Sequence, residues 1–231
     1  MNRYARLAGA LYLTIITTSI LSLIVIESRL VVDGDWAETA RRITADETLF
    51  RAGLVYDTLM FAGVIALAWS LYVILRTVDR SLALLGLLWR MAEAIVGAAT
   101  VLLGVLLVLL LNTNAFSGDQ RDALVNVLVT ARGIGFDLVL VFLSLGSIVF
   151  CGLLYKSGYV PRWLSGLGVG GFVLMLVGTV VSLLLPETRD MAMAAWAPGI
   201  LFEAGIGVWL LVKGIAVADE PVDQPSASLR A

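Results

Sequence analysis

"LALLGLLWRMAEAIVGAATVLLGVLLVLLL", Leu82 to Leu111, is the stretch on which the fold turns. A helix crosses the hydrocarbon core of a bilayer with about 20 apolar residues, and this run exceeds that length. Its only charged residues are Arg90 and Glu93. A charge at the centre of a membrane helix costs about 2.5–3.5 kcal/mol on insertion scales. Two of them three residues apart share one helix face, so that face must meet something other than lipid.

The rest of the chain has the same character. Of 231 residues, 60% are hydrophobic and 15% charged, and the mean hydropathy is +0.95. Soluble domains average about 25% charged residues, so the composition is that of an integral membrane protein. A net charge of −2 gives no basic footprint for nucleic acid. The single cysteine, Cys151, cannot form an intrachain disulfide and reads as an apolar packing residue. There is no histidine, which removes His-ligated haem, the usual zinc sites and Ser–His or Cys–His nucleophiles. No serine, threonine or cysteine has an evident partner base, so no catalytic residue, metal or cofactor is assigned.

Six apolar spans are expected: Leu7–Ile26, Ala52–Leu75, Leu82–Leu111, Ala123–Leu154, Leu164–Leu185 and Pro198–Val212. The fold class is therefore all-α, a polytopic bundle of six transmembrane helices. The first span starts after Arg3 and Arg6, but its apolar stretch outruns a signal-peptide core, and it reads as a retained helix. The expected organisation is one transmembrane domain over residues 1–216 and a disordered inner tail over 217–231, where "ADEPVDQPSASLRA" is polar and carries two prolines. Within the domain, the outer loop 27–51 contains a turn at Asp33–Gly34 and a short interfacial helix. Asp35 caps that helix, and Trp36, Ala40 and Ile43 share its apolar side. Arg3, Arg6, Arg76, Arg80, Lys156, Arg162 and Lys213 fall on one side, which places both termini on the inner, cytoplasmic side of the membrane. Trp36 and Trp196 then mark the outer interface; Trp69, Tyr72, Tyr155, Tyr159, Trp163 and Trp209 mark the inner one.

Six ionisable residues lie within these spans: Asp57, Arg90, Glu93, Arg132, Asp137 and Glu203. They must pair, line water or, for the acids, hold a proton. Arg132 and Asp137 are five residues apart, about 140° around a helix, so each is expected to face a different neighbour. The expected layering puts Asp57, Arg132 and Glu203 in an outer tier and Arg90, Glu93 and Asp137 below. Four acids against two arginines leave two negative charges, and arginine does not release its proton. The excess calls for protonated acids or a cationic ligand. "GLGVGG", Gly166–Gly171, has no preceding strand, so it reads as helix packing through Gly166 and Gly170 rather than a dinucleotide site. Thr14, Thr18 and Ser22 form one hydroxyl stripe, fitted for helix–helix hydrogen bonds.

"LFRAGLVYD", "LWRMAEA", "GFDLVLVFLSLGSIVFCGLLYKSGYVPRWL" and a late glutamate before "WLLVKG" resemble domain of unknown function 4386, a bacterial integral-membrane family. The resemblance runs from about Tyr4 to Gly214. It implies that Arg51, Asp57, Arg90, Glu93, Asp137 and Glu203 stand at recurring polar positions. Relatives often carry histidine near Arg132 and near Gly146; this chain does not, so a histidine-dependent metal or haem role does not transfer. The function expected first is binding or transport of a small molecule or proton at the acid/arginine cluster. The alternative is a non-catalytic structural or accessory protein whose buried ion pairs fix helix packing. An intramembrane enzyme using paired acids ranks below both. The lipid bilayer is the assigned partner, and an oligomer or membrane partner stays open.

Overall fold

The computed structural model describes residues 1–32 and 35–216; the turn expected at Asp33–Gly34 and the tail expected from residue 217 onward lie outside the described residues. Six segments are long and apolar enough to cross a membrane. Five are α1 (Asn2–Leu30), α3 (Glu47–Leu75), α4 (Arg80–Asn112), α5 (Asp119–Ser157) and α6 (Arg162–Leu184). The sixth, Met191–Val212, joins a short α7 (Arg189–Ala194) to α8 (Ala197–Val212) through a turn at Ala195–Trp196. An interfacial helix, α2 (Trp36–Ala45), lies between the first two spans. Among the described residues, all regular structure is helical.

Local chemistry sets the helix ends. The carboxylates of Asp35, Asp46 and Asp79 accept the N–H groups of Glu38, Leu49 and Leu82 at 2.9, 3.2 and 3.0 Å, capping α2, α3 and α4. At the far end of α5, Gly158 takes a left-handed conformation with φ 68°, which a side chain would disfavour. Pro161 then caps α6. Near its C-terminal end α1 widens into a π-helical turn at Leu23–Glu27 before continuing to Leu30. α5 has 39 residues and so rises about 58 Å. That exceeds a hydrocarbon core of about 30 Å, and α5 also packs against α2.

The spans pack in chain order and then close on themselves. α1 lies on α3, α3 on α4, α4 on α5, α5 on α6 and α6 on α8, and α8 returns to α1. Short connections make successive helices antiparallel, so the ends of the ring meet: Ile215 N–H donates to Asn2 Oδ1 at 3.2 Å. Closure depends on bare backbone. A Cβ on Gly9 would lie 2.5 Å from the nitrogen of Leu211 and 2.7 Å from the oxygen of Gly207. On α6, a Cβ on Gly171 would lie 2.9 Å from the nitrogen of Gly199. Gly166 and Gly170 are not the packing pair expected from sequence, because both are exposed and face open space. The inward face of α6 runs through Leu164, Gly168, Gly171, Phe172 and Met175, and Gly168 is the glycine that admits Cys151 and Phe202.

Two large apolar masses fill the ring, with a small third one at Phe61, Ala94 and Val139. The larger, towards the chain termini, includes Ala8, Leu71, Phe150, Phe172, Phe202 and Ile206. The smaller, at the opposite end, gathers Leu30, Ala40, Ile43, Phe50, Leu107 and Val125 beneath α2. Ala40 and Ile43 of α2 are buried and Trp36 is partly so, as the sequence spacing required. The solvent face of α2 carries Glu38 between Arg41 and Arg42, at 2.6 and 2.7 Å. Their guanidinium groups, Arg41 foremost, hold its carboxyl down at about 2.

Replacing Gly9 by leucine would force α1 off α8 and is expected to destabilise the protein by about 1–3 kcal/mol. Gly166→Ala and Gly170→Ala should leave stability nearly unchanged. Thermal unfolding of the three purified variants in one detergent, followed by circular dichroism, makes the comparison.

Candidate functional site

One face of α4 sets the interior. Its buried positions run Ala83, Gly86, Arg90, Glu93, Gly97, Thr100, Gly104 and Leu107, in steps of three and four. Small residues along that face bring the neighbouring helices close. Gly86 lies against the Phe150 ring, Gly97 against Phe61 and Gly104 against Leu54. Arg90 and Glu93 sit within this stripe, each 3% exposed. Arg90 Nη1 and Glu93 Oε2 are 2.9 Å apart. The approach lacks hydrogen-bond alignment, so neither atom has a hydrogen-bond partner. The contact is an ion pair by distance alone. The aliphatic stem of Arg90 lies flat on α5, where a Cβ on Gly146 would come within 2.9 Å of its Cγ and Cδ.

Glu203 does not lie in the outer tier expected for it. The sixth span starts at Met191, several residues before Pro198. Glu203 therefore lies about 18 Å from the start of its span and about 14 Å from its end, near mid-depth. The buried positions of α8 are Gly199, Phe202, Ile206, Gly207 and Leu210, and Glu203 stands beside them, partly exposed.

A second cluster lies nearer α2. Arg132 on α5 donates from Nη2 to Asp57 Oδ2 on α3 at 2.8 Å and from Nη1 to Glu27 Oε1 on α1 at 3.2 Å. Its guanidinium also lies 5.6 Å from the centroid of the Phe50 ring, within cation–π range. The expected meeting of Asp57 and Arg132 is present. Glu27 was outside the sequence-derived set because the apolar run ends at Ile26; the π-helical turn carries α1 onward and resets the angular register of the residues that follow. Beside these charges is a cavity of about 10 Å³, lined by Ser22, Ile26, Gly53 and the three charged side chains, room for about one water. The hydroxyl stripe of α1 leads to it. Thr18 bonds back to Thr14 and accepts from Tyr56 of α3 at 3.0 Å, and Ser22 reaches the cavity wall.

Asp137 forms a third pair and does not join Arg90 in a lower tier. Arg189, at the start of α7, donates to both its oxygens at 3.0 and 3.3 Å. The Asp137 side chain is 4% exposed and that of Arg189 48%, so the arginine enters from the surface. Arg189 had been read as a loop residue; the helix-compatible run that begins with it was the available signal. Arg132 and Asp137 thus face different neighbours, as their spacing demanded. With Glu27 and Arg189 included, four carboxylates meet three arginines, leaving one negative charge in excess, and Glu203 adds a second. Among the described residues, no group of three or more Cys, Asp or Glu side chains could hold a metal ion.

A closed ring of six membrane-spanning helices with arginine–carboxylate clusters inside defines an α-helical integral membrane protein. The chain belongs to the family described as domain of unknown function DUF4386, bacterial integral-membrane proteins, whose model matches residues 7–214. No curated protein and no solved structure matches it.

Asp137→Asn is expected to lower stability by about 1–3 kcal/mol, since it leaves a guanidinium without its counter-charge. Combined with Arg189→Gln, the loss should be smaller than the sum of the two single losses. A double-mutant cycle on thermal unfolding reads the difference.

Proposed function

We propose that the protein is a non-catalytic structural or accessory membrane protein whose buried ion pairs fix the order and register of its helices. The supporting observation is where the pairs fall. Arg132 ties α5 to both α1 and α3, Arg189 ties α7 to α5, and the space beside Arg132 admits only about one water. A transport or binding site for an organic molecule needs a cavity of about 300–1,000 Å³. The second reading, binding of a small molecule or proton, draws its support from the buried pair of Arg90 and Glu93, whose facing atoms have no hydrogen-bond partner.

The two readings separate in a ligand-stabilisation screen of purified protein with organic cations and lipophilic amines. The structural reading expects no compound to raise the melting temperature of wild type above its effect on Arg132→Gln, and expects the charge swap Asp137→Arg with Arg189→Asp to recover stability lost in either single variant. A compound that stabilises wild type and loses its effect in Arg132→Gln or Glu93→Gln would replace it with the binding reading.

The proposed orientation puts both termini in the cytoplasm. The end of the ring where Asn2 meets Ile215 carries Arg3, Arg6, Arg76, Arg80, Lys156, Arg162 and Lys213. Two of these cations lie on aromatic rings, Lys213 on Trp209 at 4.4 Å and Arg162 on Tyr155 at 5.9 Å, as at a membrane interface. At the other end Arg41, Arg42, Arg51 and Arg189 are each paired with a carboxylate. In a Cys151→Ala background, Ser117→Cys should react in intact cells with a membrane-impermeant thiol reagent and Ser157→Cys should not; the reverse pattern would invert the protein.

A further inference from the structure

We infer that the groove between the start of α6 and the end of α8 binds the phosphate headgroup of an anionic phospholipid. Three pieces of chain line it: the α5–α6 connection from Gly158 to Arg162, Trp209 on α8, and Ala216 beyond α8. The groove measures about 290 Å³ and opens to the surface, whereas the space beside Arg132 holds about one water. Its size is at the lower end for ligand pockets, about 300 Å³, and suits a headgroup rather than a whole lipid. A lipid ligand goes beyond the structural role, because packing of the helices needs nothing in this space.

Local geometry builds the groove. Gly158, at φ 68°, turns the chain at the end of α5, and Pro161 opens α6 with no N–H to offer. The first amide of α6 with a backbone acceptor is that of Leu164, which bonds Pro161 O at 3.0 Å. The N–H groups of Arg162 and Trp163 therefore stand without a backbone acceptor at the positive end of a 23-residue helix, a position that favours anions. The walls are tied together. Ala216 N–H donates to Tyr159 O at 3.1 Å, and the hydroxyls of Thr77 and Tyr159 are 3.2 Å apart.

Charge selects an anion. Arg162 lines the groove, and Lys213 holds its ammonium 4.4 Å from the ring of Trp209, which lines it too. Among the described residues neither cation pairs with a carboxylate. The described part of this end of the ring has a single acid, Asp79, and its oxygen caps α4. A basic pocket between transmembrane helices at a membrane face is the arrangement that holds acidic headgroups.

The surroundings select a lipid over a free anion. Trp163, Val208 and Val212 flank the groove in sequence and are 69, 53 and 67% exposed, an apolar rim for acyl chains to cover. One turn before Trp209, Gly205 has no side chain, and a Cβ there would meet only Leu164, at 3.3 Å. The seam between α6 and α8 is therefore bare where it continues from the groove. The rival occupant by charge is the chain beyond Ala216, which carries Asp219, Glu220 and Asp223. That segment matches the cations but not the apolar rim.

The test is thermal unfolding of the purified full-length protein in a neutral detergent, with added dioleoyl phosphatidylglycerol, dioleoyl phosphatidylcholine or inorganic phosphate. Phosphatidylglycerol should raise the melting temperature of wild type by several degrees; phosphatidylcholine and phosphate should not. Arg162→Gln with Lys213→Gln should lose most of that rise, read from the variant's own lipid-free melting point. Arg76→Gln with Arg80→Gln removes the same charge from the same end but outside the groove, and should keep it. Native mass spectrometry should retain one phosphatidylglycerol on wild type and none on the groove variant. Equal stabilisation by phosphatidylcholine or by phosphate, or equal loss in the two double variants, would overturn the proposal. So would phosphatidylglycerol binding that appears only after Asp219, Glu220 and Asp223 are neutralised to Asn, Gln and Asn, because the groove would then belong to the chain's own end.

Discussion

A guanidinium keeps its charge at any pH a cell offers, and hydrocarbon does not solvate it. Every arginine set inside this bundle must therefore be met by a carboxylate delivered from elsewhere in the chain. That demand shapes the molecule. Arg132 is met by Asp57 and Glu27, from α3 and α1. Arg189 reaches in from the surface to Asp137. Arg90 is answered on its own helix by Glu93. A helix rotated or shifted by one residue would strand a charge, and losing one partner of a buried pair typically costs about 3–5 kcal/mol.

Hydrophobic contact could not impose the same order. Inside a membrane, one apolar side chain exchanges lipid for another at little gain. The apolar masses at the two ends of the ring supply close packing but weak direction. Direction comes from the charged pairs and from the glycines that let backbones touch, such as Gly9 on α8 and Gly171 on Gly199. The two devices act together at Arg90, whose long stem lies flat only because position 146 has no side chain.

Much of this was legible in the chain. Apolar run lengths located the spans, and Asp35 announced a helix start that its carboxylate does cap. The 140° between Arg132 and Asp137 correctly sent them to different partners. What failed was depth. Glu203 was placed too near the outer surface because Pro198 looked like a beginning, whereas a proline in the first turn of α8 is tolerated and the span already runs from Met191. Asp137 was assigned to the wrong layer because its partner, Arg189, looked like loop. Glu27 was hidden by a π-helical turn that hydropathy does not register. Gly166 and Gly170 have the right spacing on the wrong face, since small-residue spacing defines a stripe but not its direction. The alternating threes and fours of Ala83, Gly86, Arg90, Glu93, Gly97 and Gly104 were there to be counted and carried the real interior.

Because α8 seats directly on α1, the ring has a temporal asymmetry. The ribosome delivers α1, α3 and α4 first, so Arg90 enters the lipid with Glu93 as its only carboxylate on hand. Glu203 and the glycine-lined groove for Gly9 arrive with the final span. Until then the nascent assembly is a sheet of helices with an open seam, its polar centre facing whatever the insertion machinery provides. α8 is the keystone of that seam, because Gly9 finds its seat only when the backbone of Gly207 and Leu211 is in place.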